Sequence, residues 1–378
     1  MIYLDNSATS FRKPKEVYFA MMDCMKNYAA NPGRSGHRTS LLASEKVFLC
    51  RQAIAQMFGL DDPARVIFTA NATESLNLAI KGILKPGDHA VFSSMEHNSV
   101  VRPLTALAAE GISSSAAQGD IFGHVSEEAV KAQIRPNTRL IVLTHVSNVC
   151  GTINDIQKVG ALAKKCGIPF LVDAAQSAGV LPIDMKRDHI SLLALTGHKG
   201  LLGPQGTGAL LIAPGIALKP LKEGGTGSNS QNTAQPDELP DRYESGTLNT
   251  VGICGLLEGV NFINRMGLLS IRRHESALSA QLLSDLSVMK KVHIHGYMTN
   301  VNRTGVVSIS VDGMDSVDLA NRLDAEYDIA VRAGFHCAYG AHQTLGTAET
   351  GTVRLSIGAF NTKSDIKAAI SALDRIIN

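Results

Sequence analysis

Several features are missing from this chain of 378 residues, and each absence closes off a class of protein. No apolar run reaches the roughly 18 residues needed to span a membrane as a helix, so none is expected to do so. The opening residues, Met1-Ile-Tyr-Leu-Asp-Asn-Ser7, lack the basic stretch followed by an apolar one that marks a secretory signal. Six cysteines, at 24, 50, 150, 166, 254 and 337, include no Cys-x-x-Cys pair. That argues against a zinc ribbon or a disulfide framework, and for reduced thiols in a cytoplasm. Neither charge sign dominates. The formal net charge of +2 gives no footprint for nucleic acid or an acidic membrane. No Gly-x-Gly-x-x-Gly or Walker sequence follows an early strand, which disfavours dinucleotide and P-loop sites. Tryptophan is absent too, and that excludes nothing.

What remains is an ordinary globular composition, 44% hydrophobic and 19% charged, in a chain long enough for two domains. From about residue 60 to 215, short β-rich runs alternate with helical stretches. Strands are expected over 65–69, 89–93, 140–144, 169–173, 192–195 and 208–212. Helical patterns cover 73–84, the stretch up to about 109, and 156–166. Such alternation implies an α/β fold with a mostly parallel sheet covered on both faces. Ligands of such sheets sit beyond the carboxyl ends of the strands. Thr69, Ser93, Thr144, Asp173 and Thr196 fall at those ends. Residues 223–247, with Gly224-Gly-Thr-Gly-Ser228, form a long polar loop of the kind that often serves function. Residues 251–286 read as a helical connector. The rest, with strands near 304–311 and 352–357, reads as a smaller α+β domain.

Five places carry candidate chemistry. Asp173 ends a buried strand and Lys199 follows the next, so opposite charges would face one pocket. A carboxylate there can keep a pyridine nitrogen protonated, and a lysine amine can form a Schiff base. Alone, Asp173 is equally a helix cap and Lys199 a solvated loop residue. Asn71-Ala-Thr-Glu-Ser75 joins a strand to a helix, where backbone N–H groups and the Thr73 hydroxyl can cradle an anion or simply cap the helix. His97 can stack on an aromatic ring or serve as a cap. Cys337 has Arg332 and His336 nearby, and positive charge from both would lower a thiol pKa; an inert buried thiol is the plainer reading. Arg354, inside an alternating strand, can fork onto a carboxylate or form a structural ion pair. Together the set matches the chemistry of an amino acid on pyridoxal 5'-phosphate (PLP).

The ordered set also resembles the cysteine desulfurase family, fold-type I PLP enzymes of the class V aminotransferase group. Its markers run from Tyr3-Leu-Asp-Asn-Ser-Ala-Thr9 through Gly33-Arg-Ser-Gly-His37, Phe68-Thr-Ala-Asn-Ala-Thr-Glu74, Glu96-His-Asn98 and His145-Val-Ser-Asn148. They continue with Asp173-Ala-Ala-Gln176, Gly197-His-Lys-Gly200, Glu244-Ser-Gly-Thr-Leu-Asn249 and Arg332-Ala-Gly-Phe-His-Cys-Ala338. The last is similar to the selenocysteine-lyase-like branch. By this resemblance Lys199 is the Schiff-base lysine, Asp173 pairs with the pyridine nitrogen, Gln176 contacts the ring hydroxyl and His97 stacks on the ring. Ala72, Thr73, Thr196 and His198 contact the phosphate, and Thr247 completes that site from a partner subunit, implying a homodimer. Asn148 and Arg354 hold the substrate carboxylate, Arg332 lies on the substrate side, and Cys337 accepts the sulfur. The phosphate loop departs from the family's usual Gly-Thr-Thr, reading Asn71-Ala72-Thr73, and Tyr339 follows Cys337-Ala338.

The fold expected is a large PLP-binding domain over 12–258 and a small α+β domain over 259–378, with 1–11 packing on the latter. The activity expected is removal of sulfur from L-cysteine, giving L-alanine and a persulfide on Cys337. No metal, nucleic acid or membrane is expected to take part; a sulfur-acceptor protein is. Selenocysteine lyase, cysteine sulfinate desulfinase, class V aminotransferase and a PLP-binding scaffold without turnover are the alternatives, separable by substrate and product.

Overall fold

The computed structural model describes residues 1–33, 35–227 and 231–378. Arg34 and Ser228, each part of a motif quoted above, lie outside the described residues. The chain opens with strand β1 (Ile2–Tyr3) and helices α1 (Lys15–Asn27) and α2 (Arg38–Met57). There follow β2 (Val66–Thr69), α3 (Ala72–Ile83), β3 (His89–Ser93), α4 (Asn98–Leu107), β4 (Ser113–Ala117) and α5 (Glu127–Lys131). Next come β5 (Thr138–Thr144), α6 (Ile156–Cys166), β6 (Phe170–Asp173), β7 (Leu192–Thr196) and β8 (Gly208–Ile212). Helices α7 (Thr250–Met266) and α8 (Leu268–Ser287) lead to β9 (Val292–His295), β10 (Val306–Val311), α9 (Ser316–Tyr327), β11 (Ile329–Ala330) and β12 (Arg332–Gly334). The chain ends with α10 (Tyr339–Thr344), β13 (Thr352–Ser356) and α11 (Lys363–Ile377).

Seven strands form one sheet in the order β2-β8-β7-β6-β5-β3-β4. The pairs β3–β4, β3–β5, β5–β6 and β6–β7 are parallel; β8 runs antiparallel to both its neighbours. The sheet is therefore mostly parallel, as the alternation implied. Strand β5 shows why. Leu140 and Val142 pack into the core on the side of α3 and α4, Ile141 and Leu143 into that of α2 and α7. A strand buried on both faces is apolar throughout, and its sheet is covered on both sides. A second sheet, β12-β13-β10-β9, is antiparallel and has its own core with α8, α9 and α11. β1 pairs with β11, and Leu4 is buried in that same core.

Among the elements that differ from the sequence-based expectation, two have a plain physical cause. Ser113-Ser-Ser-Ala-Ala117 lacks β-formers yet is a strand, because β3 offers it a free edge. The helical connector is two helices, broken where Gly267 takes φ +80°. Glu244, a marker on the long loop, has a structural task. It pairs with Arg51 inside the protein and accepts the Phe68 N–H. Both side chains are buried, so Glu244→Ala would strand the Arg51 guanidinium and should cost about 3–5 kcal/mol of stability, read from the denaturant midpoint.

Candidate active site

The carboxyl ends of the parallel strands open onto one cavity, whose wall includes Ala72, Thr73, His97, Asn148, Asp173, Gln176, Thr196, His198 and Lys199. Helix α3 starts there. Asn71 caps it by accepting from Glu74 N at 3.0 Å. The N–H groups of Ala72 and Thr73, at the first helical positions, have no partner within the helix and point the positive end of its dipole outward. Two polar atoms beside it are buried without partners, Thr196 Oγ1 and His198 Nδ1. Such orphans cost free energy unless a ligand meets them. A helix start with an unmet hydroxyl and an unmet imidazole suits a phosphate group.

A short chain of hydrogen bonds runs from this cradle to His97. Thr73 Oγ1 lies 2.7 Å from Ser99 Oγ, which lies 2.8 Å from His97 Nδ1. Ser99 N donates to the same Nδ1 at 3.1 Å, so the ring proton sits on Nε2. Burial, and then the charges of Lys199, Arg332, Arg102 and Arg354, lower the His97 pKa to about 4. The imidazole is neutral at physiological pH, as a ring that stacks on a flat ligand should be. Ser99 was not among the residues anticipated; it follows His97-Asn98 directly, but its bridge to Thr73 crosses 26 residues.

Asp173 ends β6 and accepts from Ala175 N at 2.9 Å. Burial raises its pKa, opposed by that N–H and by Lys199. Glu96 lies within electrostatic reach of it, fully buried, with Ser93 Oγ donating at 2.5 Å and Thr144 N at 2.6 Å. Burial pushes Glu96 up to about 8, which favours its neutral form at pH 7. Lys199 follows β7 in a loop fixed by close backbone packing. A Cβ at Gly200 would run into the Ala178 carbonyl, and one at Gly179 into the Gly200 carbonyl. Burial lowers the Lys199 pKa to about 8, with Arg354 and Arg332 adding to the effect and Asp173 opposing it. In protein without ligand, acylation of the Lys199 amine should thus rise with pH through about 8; a midpoint near the ordinary value of about 10.4 would contradict this placement. Gln176 donates from Nε2 to Ser7 O at 3.0 Å, tying the N-terminal segment to the site.

The second sheet supplies the opposite side. Arg332 on β12 pairs across the ladder with Arg354 on β13, an arrangement that like charges disfavour unless anions meet them. Arg354 is 1% exposed; it donates to Asn148 O and to Asp5 Oδ1, each at 2.9 Å, and its Nε has no partner. Arg332 Nη2 lies 3.6 Å from Cys337 Sγ. His336 and Cys337 take φ of +48° and +59°, a strained conformation for side-chain-bearing residues. Three bonds hold it: Asn98 N to Cys337 O at 2.7 Å, Asn148 Nδ2 to His336 O at 2.7 Å, and His336 Nε2 to Thr352 Oγ1 at 3.0 Å. The turn leaves Cys337 exposed. One expectation is corrected here. His336 adds no positive charge beside the thiol, because burial, reinforced by Arg354, lowers its pKa to about 2. Arg332 is the cation at the sulfur. Thr247 is exposed, 3.5 Å from Asn31 Nδ2, and does not line the cavity of its own chain.

Comparison with known proteins gives a consistent picture. The family model of class-V aminotransferases matches residues 2–369. A Methanothermobacter thermautotrophicus protein named "Probable cysteine desulfurase" is 33% identical over 99% of this chain and 94% of its own length. The solved apo structure of a cysteine desulfurase from Thermococcus onnurineus superposes with a TM-score of 0.92 at 34% identity, covering 100% of this chain and 94% of that one. The cysteine desulfurase CsdA of Escherichia coli gives a TM-score of 0.88 at 28% identity, covering 99% and 94%.

Proposed function

The chain belongs to the class-V aminotransferase family, and within it we propose that this protein is a PLP-dependent cysteine desulfurase acting on L-cysteine. The observation that carries the reading is the placement of an exposed thiol, Cys337, beside Arg332, together with a cavity whose wall holds both the buried Lys199 and Asp173. An aminotransferase has no use for that thiol. PLP suits the residues present: the unmet Thr196 and His198 atoms and the start of α3 take its phosphate, Asp173 its ring nitrogen, Gln176 its ring hydroxyl, the neutral His97 ring its face, and Lys199 its aldehyde. When bound, PLP supplies an electron sink at the substrate Cα.

The residues of the chain do the rest. Arg354 holds the substrate carboxylate from its fixed bed of Asn148 and Asp5, aided by Asn148 itself. Lys199 would hold the cofactor's aldehyde and, as a free amine, draw the Cα proton; a pKa near the working pH suits an amine to that task. Cys337 Sγ forms a bond to the substrate sulfur as the Cβ–S bond breaks, and the carbon left behind takes up a proton to leave as alanine. Arg332 Nη2, 3.6 Å from Sγ, stands beside the sulfur that makes this attack. Arg354→Lys keeps the charge but loses the fork, and should lower kcat/KM for L-cysteine roughly 10- to 100-fold, mostly through KM. An unchanged KM would remove Arg354 from the carboxylate site.

We extend the reading to a cytoplasmic homodimer. Large apolar side chains stand exposed on α1 (Tyr18, Phe19, Met22, Met25) and α2 (Leu41, Phe48), a surface suited to a second copy, and exposed Thr247 would reach the partner's phosphate. The exposed Cys337 leaves its persulfide open to an acceptor protein. The large domain is taken as 12–258 and the small one as 259–378 with 1–11. Rates on L-cysteine, L-selenocysteine and L-cysteine sulfinate, with alanine as the common product, test the substrate assignment.

A further inference from the structure

A second cavity shares Lys199 and Gln176 with the first. It is bounded by the N-terminal segment, by α8, and by the turns at 304–306 and 357–360. Its volume is about 50 Å³. At about 10–15 Å³ per water position, that holds on the order of four waters and no amino acid. Apolar cavities of this size stay dry, but this one presents Asn6, Ser10, Gln176, Thr304 and Glu275, so water finds partners in it.

Lys199 and Glu275 are the two charged residues on its wall. Glu275 is 5% exposed and makes no hydrogen bond or ion pair among the described residues. Arg272, three residues earlier on α8, directs Nη2 to the Arg303 carbonyl instead. A buried carboxyl with no protein partner is met by the water in its cavity. We propose that Glu275 and the water of this cavity form a proton relay that serves Lys199, with Glu275 as a positioning residue for the proton rather than a group that touches substrate. The Lys199 ammonium gives a proton to the adjoining water while the far water gives one to the Glu275 carboxylate; the reverse step restores the ammonium. No electrons move and no co-reactant is consumed. Burial pushes Glu275 up to about 8, lowered somewhat by Arg272, which matches Lys199 at about 8. Groups of equal proton affinity exchange with little cost. Lys199 in turn faces Asp173, Arg354, Arg332 and Asp5, none of which lines the second cavity.

The relay rests on Lys199 as the base of the proposed reaction, but its test does not need that reaction. In cofactor-free protein, proton exchange at the Lys199 amine, read by nitrogen NMR of labelled lysine, should slow in Glu275→Gln, because the carboxylate that passes the proton through the shared cavity is gone. The infrared band of a protonated carboxyl that titrates through about 8 should vanish with it. Glu275→Leu, suited to an apolar site, serves if the glutamine variant does not fold, and Glu275→Asp should recover part of the exchange rate. In holoenzyme, kcat on L-cysteine should drop on the order of tenfold with KM unchanged, less than the loss of a direct proton donor. An unchanged rate of proton exchange at Lys199 in a folded carboxyl-free variant overturns the relay, whatever the enzyme's activity proves to be.

Discussion

Lys199→Ala is expected to abolish release of sulfur from L-cysteine, by at least about 10⁴-fold, and to leave the protein folded. The lysine is the cofactor's covalent anchor and the base at Cα in this account, so one substitution removes both roles. The fold should tolerate the change because Lys199 makes no ion pair among the described residues and its loop is held by backbone packing at Gly179 and Gly200. Removing a buried ammonium also relieves the burial that depresses its pKa. The variant should still take up PLP noncovalently through the α3 cradle and Asp173, without the absorbance of a lysine-bound cofactor. Exchange of the substrate Cα hydrogen with solvent should stop. Residual exchange at the wild-type rate would assign the base elsewhere, to a group on the same cavity wall such as His97 or His198.

Cys337→Ala is expected to act differently. Sulfide and alanine formation should fall at least ~10³-fold, the scale on which loss of a nucleophile acts. Cofactor binding and Cα hydrogen exchange should persist, since the thiol lies in the turn after β12 of the second sheet and Lys199 in the loop after β7 of the first. The two variants thus separate the two halves of the reaction. The strained turn at His336 and Cys337 is part of the expectation, because it is what presents the sulfur. Stability should change little or rise slightly, as the substituted side chain is exposed. If Cys337→Ala releases sulfide at the wild-type rate, the persulfide step is wrong and the sulfur leaves without a protein nucleophile.

The parallel sheet was legible because its strands are buried on both faces, which leaves continuous apolar runs such as Leu140-Ile-Val-Leu143 between polar turns. β4 was not, since an edge strand of serines owes its conformation to its neighbour and not to its own residues. The candidate site divides the same way. Residues at strand ends, such as Asp173 and Lys199, follow from topology alone. Asp5 does not: its bond to Arg354 joins positions 349 residues apart, and the sequence offered a salt bridge and a substrate carboxylate as equal readings of that arginine. The structure contains the salt bridge, yet leaves Nε of Arg354 unmet. His336 misled because a histidine beside a cysteine reads as a cation, whereas burial decides its charge. Glu275 reads in sequence as one polar position on a long helix, and only the packing of α8 against the Lys199 loop turns it inward.

The most direct test of the central claim is mass spectrometry of the purified holoenzyme after a single addition of L-cysteine, with alanine measured in the same sample. The account requires one added sulfur atom on the peptide bearing Cys337, removed by a thiol reductant, and one alanine for each sulfur. Alanine without added sulfur on Cys337, or added sulfur confined to another cysteine, would contradict it.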